Sequence, residues 1–279
     1  MSETSYFGKV RECRKLADSK LAMIHSDRQS GFDRYLCDIP DKGWILTSLS
    51  AWWFKKTSHL VPNHYLNSEK NLMTVRECKQ FPIEVIVRAY ITGSTKTSLW
   101  THYASGKRTY CGIKFPDGLQ KHQAIDIVIT PTTKGDTDEP ISEKQILERG
   151  ILTASEWETI RNYSLTLFRY GQTVAADRGL ILVDTKMEFG RAVDNGEIIV
   201  SDELFTIDSS RFWLASSYQE RFENGIEPER FDKDQVREWV KSRCDPYKDE
   251  LPTIPTELCN RVSQVYHTFY QQLTGHKLK

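Results

Sequence analysis

Residues 180–190, LILVDTKMEFG, constrain the fold of this chain more than any other segment. The first four are an unbroken apolar run of the kind seen in strands covered on both faces, yet charges enter at Asp184 and recur at alternate positions. Successive side chains leave a strand on opposite sides, so Asp184, Lys186 and Glu188 share one face while Val183, Thr185, Met187 and Phe189 share the other. Two readings fit such a strand. One is a solvated face with ordinary lysine–carboxylate pairs, which add little stability. The other is the wall of a ligand site.

The residues that follow bear on the choice. Val193-Asp194-Asn195-Gly196-Glu197 is a hairpin turn signal leading into a second strand over 198–202. A two-residue Asn195-Gly196 loop would set Asp202 opposite Phe189, away from the face of Glu188. A three-residue loop, Asp194-Asn195-Gly196 in a type I turn with Gly196 left-handed, sets Asp202 directly across from Glu188. Two carboxylates then lie within reach of one cation, and we expect this register. Mg²⁺ suits such a pair, because it takes one or two protein carboxylates and completes its octahedron with water and phosphate oxygens. Lys186, on the same face, is placed to neutralise a phosphate as a point charge.

Two further segments carry anion-binding features. In YFGKVR, residues 6–11, Gly8 allows close backbone approach, and Lys9 and Arg11 are spaced for one strand face; a surface strand with solvated cations fits equally. Neither GxxxxGK[ST] nor GxGxxG occurs. FPIEVIVRAYITGS, residues 81–94, reads as a β-branched strand that delivers Arg88 and ends at Gly93-Ser94, a turn offering N–H groups and a hydroxyl to an anion.

Elsewhere, short strands are expected near 7–13, 21–26 and 44–47, followed by a helical stretch bearing Leu49, Trp52, Trp53 and Leu60, the tryptophans serving as core anchors. Another strand is expected over 124–129, stopped by Pro131. Thr153-Ala-Ser-Glu156 forms a capping box that opens a helix with Trp157, Ile160, Leu167, Phe168, Val174 and Ala175 on its buried stripe and Gly179 as its stop. Two more helices are expected, near 233–242 and over 256–274. Strands dominate the front and mix with helices behind, so the class is α+β with a boundary near 80–84.

The 279 residues, 39% hydrophobic, suffice for a sizeable core. Lys plus Arg and Asp plus Glu both total 38, so no global field draws the chain to nucleic acid or anionic lipid. The N-terminus has no apolar leader and no run approaches the length of a membrane helix, so a cytoplasmic protein without a membrane partner is expected. The six cysteines are scattered without CxxC and read as reduced thiols. The histidines lack HExxH spacing, and His25 and His102 read as core or surface residues rather than metal ligands.

Taken together, FPIEVIVRAYITGS (81–94) and LVDTKMEFG (182–190) resemble the two signature motifs of the SAICAR synthetases, the phosphoribosylaminoimidazole-succinocarboxamide synthases. GKVR (8–11), SDRQSGFD (26–33), TPTTK (130–134), SDE (201–203), DSSRFW (208–213) and FDK (231–233) follow in the family's order across nearly the whole chain. The resemblance implies two lobes, a β-rich, kinase-like one over 1–82 and an ATP-grasp-like one over 83–279, with ATP in the cleft between. It implies a ligase that condenses CAIR, a phosphoribosyl aminoimidazole carboxylate, with L-aspartate while ATP becomes ADP and phosphate. By motif, Gly8, Lys9 and Arg11 would hold ATP phosphates, backbone near Gln80 and Phe81 would meet adenine, and Lys134 would close near the nucleotide. Glu188 and Asp202 would hold Mg²⁺. Arg88, Ser94 and Arg211 would grip the ribose phosphate of CAIR, with Asp33 and Lys186 near the reacting groups. The family is compatible with an assembly of identical chains. Gly31 stands where the family has alanine, and Ile207 where proline commonly precedes DSSRFW. A kinase-like phosphotransferase using the same ATP cleft is the rival reading, but the chain has neither an HRD nor a DFG segment.

Overall fold

The strand Leu180–Ala192 organises the second half of the molecule. On one edge Ile83–Tyr90 pairs with 184–187 and Cys78–Gln80 with 190–192. On the other edge Ser210–Leu214 pairs with 180–185 and Ile198–Ser201 with 188–191. All four partners are antiparallel, which leaves this central strand without a free edge over most of its length and explains an apolar run that does not alternate. Ala124–Ile129 and Thr132–Thr133 extend the same sheet beyond Ile83–Tyr90, giving seven strands. The computed structural model describes residues 5–8, 11–95, 98–135, 138–231 and 234–278.

The front of the chain forms a five-stranded antiparallel sheet in the spatial order Ser5–Phe7, Arg11–Leu16, Lys20–His25, Leu72–Arg76, Tyr65–Glu69. The helix Lys42–Thr57 packs on it, and the C-terminal helix Thr256–Thr274 packs on that helix. The expected strand at 44–47 is therefore a helix. A short apolar run has the same composition in a buried helix and a buried strand; here Ile45, Leu46, Leu49 and Trp53 all turn inward at helical spacing. Trp53 is fully buried and meets Phe205 edge-on at 4.8 Å, while Trp52 is half-buried beside it.

The capping box at Thr153 forms as expected: its hydroxyl accepts from the Glu156 N–H, and the Glu156 carboxylate accepts from the Thr153 N–H at 2.8 Å. The helix Ala154–Ala176 lays its apolar stripe on the seven-stranded sheet, and Gly179 follows in the left-handed region at φ +69°. Helices Gln235–Lys241 and Thr256–Thr274 lie where the spacing places them. One hydrophobic core runs through both sheets, from Met23 and Met73 in the first to Met187, Phe189 and Val200 in the second. His25 is buried with Nδ1 against the Thr47 hydroxyl at 2.9 Å, and His102 meets the Thr109 carbonyl at 2.8 Å, so both fill structural roles.

Candidate active site

The central strand and its two neighbours set three charged residues in a row, because Asp184 is in register with Arg88 on one edge and Arg211 on the other. Both guanidiniums reach the same carboxylate oxygen, Arg88 Nη1 at 3.2 Å and Arg211 Nη1 at 3.5 Å. Arg88 is buried and also donates from Nε to the Thr130 hydroxyl at 2.9 Å. Arg211 is partly open and lines a cleft of about 480 Å³, together with Gly93, Ser94, Asp184, Asp208 and Arg237. Ser94 and Arg211 thus share one cleft wall, while Arg88 stands behind Asp184 and fixes it from inside. Gly93 bends the chain into this wall at φ +112°, and a Cβ there would stand 2.4 Å from that of Ser98.

Two residues further along the same face, Lys186 Nζ lies 2.7 Å from Glu84 Oε1 and 2.9 Å from Glu188 Oε1. Lys134 pairs with the other oxygen of Glu188. Glu188 is 6% exposed, so the face is enclosed and the solvated-strand reading fails. Burial raises the Glu188 pKa, but Lys186 and Lys134 outweigh it and hold the carboxyl down at about 2. For Lys186 burial opposes the charge, yet Glu188 and Glu84 overcome it and lift the pKa above the usual lysine range. This arrangement favours the charged form of Lys186.

The hairpin departs from the expected register. Glu188 pairs with Ser201, Phe189 with Val200 and Arg191 with Ile198, and the Ala192 N–H closes on the Glu197 carbonyl at 2.8 Å. The loop is therefore the four residues 193–196, one longer than expected, with Gly196 left-handed at φ +75° as anticipated. Turn composition did not separate the two lengths; the longer loop is held from outside, by Arg76 gripping both oxygens of Asp194 at 3.0 and 2.7 Å. Asp202 follows the strand end in a left-handed conformation, φ +66°, and is not the partner of Glu188 across the ladder. Arg11 reaches both Asp202 and Glu203. His64 is buried close by; burial first, then Arg11, pulls its pKa down to about 3.

Gly8 turns the chain, donating its N–H to the Arg11 carbonyl at 2.8 Å; Lys9 lies outside the described residues. The Phe81 N–H donates to the Phe189 carbonyl at 3.0 Å, and the Pro82 carbonyl accepts from the Lys134 N–H at 3.0 Å, which ties this segment to the central strand and the 130–134 loop. Gln80 is exposed and takes the Ser201 hydroxyl on its Oε1 at 3.0 Å. Asp33 is exposed at the tip of the hairpin Arg28–Gly31/Arg34–Asp38, outside the residues that line the cleft. Sequence reasoning missed Glu84, Glu203 and the hub role of Asp184. Glu84 had a signal: it alternates with Arg88 along IEVIVR, on the face opposite Ile83, Val85 and Val87.

Glu188 and Asp202 offer hard carboxylate oxygens of the kind Mg²⁺ prefers, and both stand among cations that also suit phosphate. Among the described residues no group of three or more His, Cys, Asp or Glu is arranged to hold a metal ion by itself. A magnesium ion here would draw its remaining ligands from phosphate and water.

A sequence model of the SAICAR synthetase family matches residues 4–254. The phosphoribosylaminoimidazole-succinocarboxamide synthase of Legionella pneumophila (strain Paris) is 50% identical over 274 residues, 97% of this chain and 87% of that protein. The chloroplastic synthase of the same name from Vigna aconitifolia is 50% identical over 255 residues, 90% of this chain and 74% of its own. Among solved structures, the SAICAR synthase from Saccharomyces cerevisiae complexed with SAICAR matches with a TM-score of 0.85 at 31% identity, covering 99% of this chain and 96% of that one. The order of the motifs, the row of charges on the central strand and these likenesses agree, and the chain belongs to the SAICAR synthetase family.

Proposed function

We propose that this chain condenses CAIR with L-aspartate to give SAICAR, with ATP converted to ADP and phosphate, as a step of purine biosynthesis in the cytoplasm. The observation that carries this reading is the spacing of charges along one strand. Asp184, flanked by arginines at the cleft, and Glu188, at the lysine cluster, are four residues apart, about 13 Å at ~3.3 Å per residue, with Lys186 midway. A substrate anchored at Ser94 and Arg211 and a triphosphate lying toward Glu188 would meet beside Lys186. The lobes of this reading are 1–82 and 83–279, with the nucleotide between them.

The chemistry follows from what each group is. A carboxylate resists attack by an amine until one oxygen becomes a good leaving group. An oxygen of the CAIR carboxylate attacks the γ-phosphorus, the bond to ADP breaks, and an acyl phosphate results. The neutral amine of aspartate then attacks the acyl carbon; phosphate departs with that oxygen and the amine gives up a proton. Lys186, held as a cation, and Arg11 oppose the charge that spreads over the phosphoryl oxygens. Arg211 and Ser94 hold the ribose phosphate, and Arg88 keeps Asp184 and Arg211 aligned, so contacts remote from the new bond contribute to positioning. Glu188 and Asp202 would hold Mg²⁺, which when bound neutralises phosphate charge.

The test is a coupled ADP assay on the purified protein with CAIR and aspartate each omitted in turn. ADP should form only when both are present. ADP release that ignores aspartate, or stable phosphate transfer to an alcohol, would replace the ligase with a phosphotransferase.

A further inference from the structure

Lys42 is 2% exposed; its ammonium donates to Gln29 Oε1 at 2.7 Å and to the Arg28 carbonyl at 3.1 Å, and pairs with the Asp208 carboxylate, whose Oδ2 lies 3.2 Å away. Taking an ammonium out of water costs several kcal/mol, and an apolar side chain of similar size at such a site is commonly as stable or more so. Stability alone does not account for a charge here, so what the charge holds in place matters.

It holds together two segments that are distant in sequence. One is 28–29, within the segment that leads to Asp33. The other contains Asp208, which lines the cleft and accepts the Tyr266 hydroxyl on its second oxygen at 2.6 Å. The loop that Asp208 belongs to is bound, with the strand residue Ser210 that follows it, to the central strand. The Ser209 carbonyl accepts the Lys186 N–H at 2.9 Å, the Ser210 hydroxyl meets that of Thr185 at 2.7 Å, and Arg211 follows directly. A shift of Asp208 would therefore move the backbone of Lys186 and the root of Arg211 together.

We propose that Lys42 is a positioning residue for the reaction: its buried ammonium fixes Asp208, and through residues 206–210 it sets Arg211 and Lys186 against the substrate in the cleft. The naming of that substrate as CAIR rests on the function proposed above; the positioning does not. Lys42 is not among the residues that line the cleft.

The experiment compares wild type, Lys42→Met and Asp208→Asn by two readouts. In steady-state kinetics, both variants should raise the KM for CAIR about tenfold while the KM for ATP stays within about twofold. In hydrogen exchange, the amides of 207–211 should exchange at least tenfold faster in Lys42→Met while those of Thr256–Thr274 do not change. Should Lys42→Met fail to fold, Asp208→Asn carries both measurements. Unchanged exchange at 207–211, or KM values for CAIR and ATP that rise in parallel, overturns the positioning role. If the wild type does not consume CAIR at all, the proposed function fails, and the exchange result still decides for or against Lys42.

Discussion

Glu188 is the residue on which the charges of the site converge, one lysine on each oxygen. Glu188→Gln keeps the shape and removes the charge, so Lys134 loses its counterion, Lys186 is left with Glu84 alone, and a magnesium ion held as proposed would lose a ligand. We expect activity to fall by about 100-fold or more and the Mg²⁺ concentration for half-maximal rate to rise, both read in the ADP assay. His64 makes a second prediction. Its pKa in the folded chain, about 3, lies below the ordinary 6.5 because burial and Arg11 disfavour the imidazolium. The unfolded chain binds the extra proton between those values, so this stability is intact above 6.5 and is lost as pH falls toward 3. Burial also holds His25 well below its ordinary value, which acts in the same direction. His64→Leu should flatten the acid-side slope of unfolding free energy by about 1.4 kcal/mol per pH unit near pH 5, measured by urea denaturation.

At the scale of elements, the central strand works because neighbours approach it closely on both edges. A Cβ on Gly190 would stand 2.8 Å from Cys78 Sγ and 3.0 Å from the Lys79 carbonyl, so only glycine lets Cys78–Gln80 pair there. Gly190→Ala should destabilise the fold by about 1–3 kcal/mol in chemical denaturation, by pushing that strand away. The capping box and the helices Ala154–Ala176, Gln235–Lys241 and Thr256–Thr274 could be read directly, since caps and the 3.6-residue period are local signals. The turn residues of the hairpin were legible too, with Gly196 left-handed, but its length was not. Arg76 pins Asp194 from 118 positions away, and no local rule for turns contains that contact. Likewise 44–47 was apolar in either secondary structure, and packing of the helix on the first sheet decided it.

For the whole molecule, the shared core is the determining feature. Trp53 sits on the first helix and Phe205 in the second half, yet their rings meet at 4.8 Å within one continuous cluster. Trp53→Ala should cost about 3–5 kcal/mol, and because the cluster spans both sheets, near- and far-ultraviolet circular dichroism should report one coincident unfolding transition. Two separated transitions would mean that 1–82 and 83–279 unfold independently.

The chain by itself determined what is local or periodic. The alternation of Asp184, Lys186 and Glu188, the strand that presents Arg88, the capped helix after Thr153 and the order of the family motifs could all be read from neighbouring residues. Tertiary structure decided which of those charges meet. It put Arg88 behind Asp184 rather than in the cleft, gave Glu188 to two lysines and Asp202 to Arg11, and buried Lys42 between two distant segments. The reason is physical: side-chain period follows from the backbone of a single strand, whereas an ion pair depends on the register and approach of strands whose partners lie far away in the sequence.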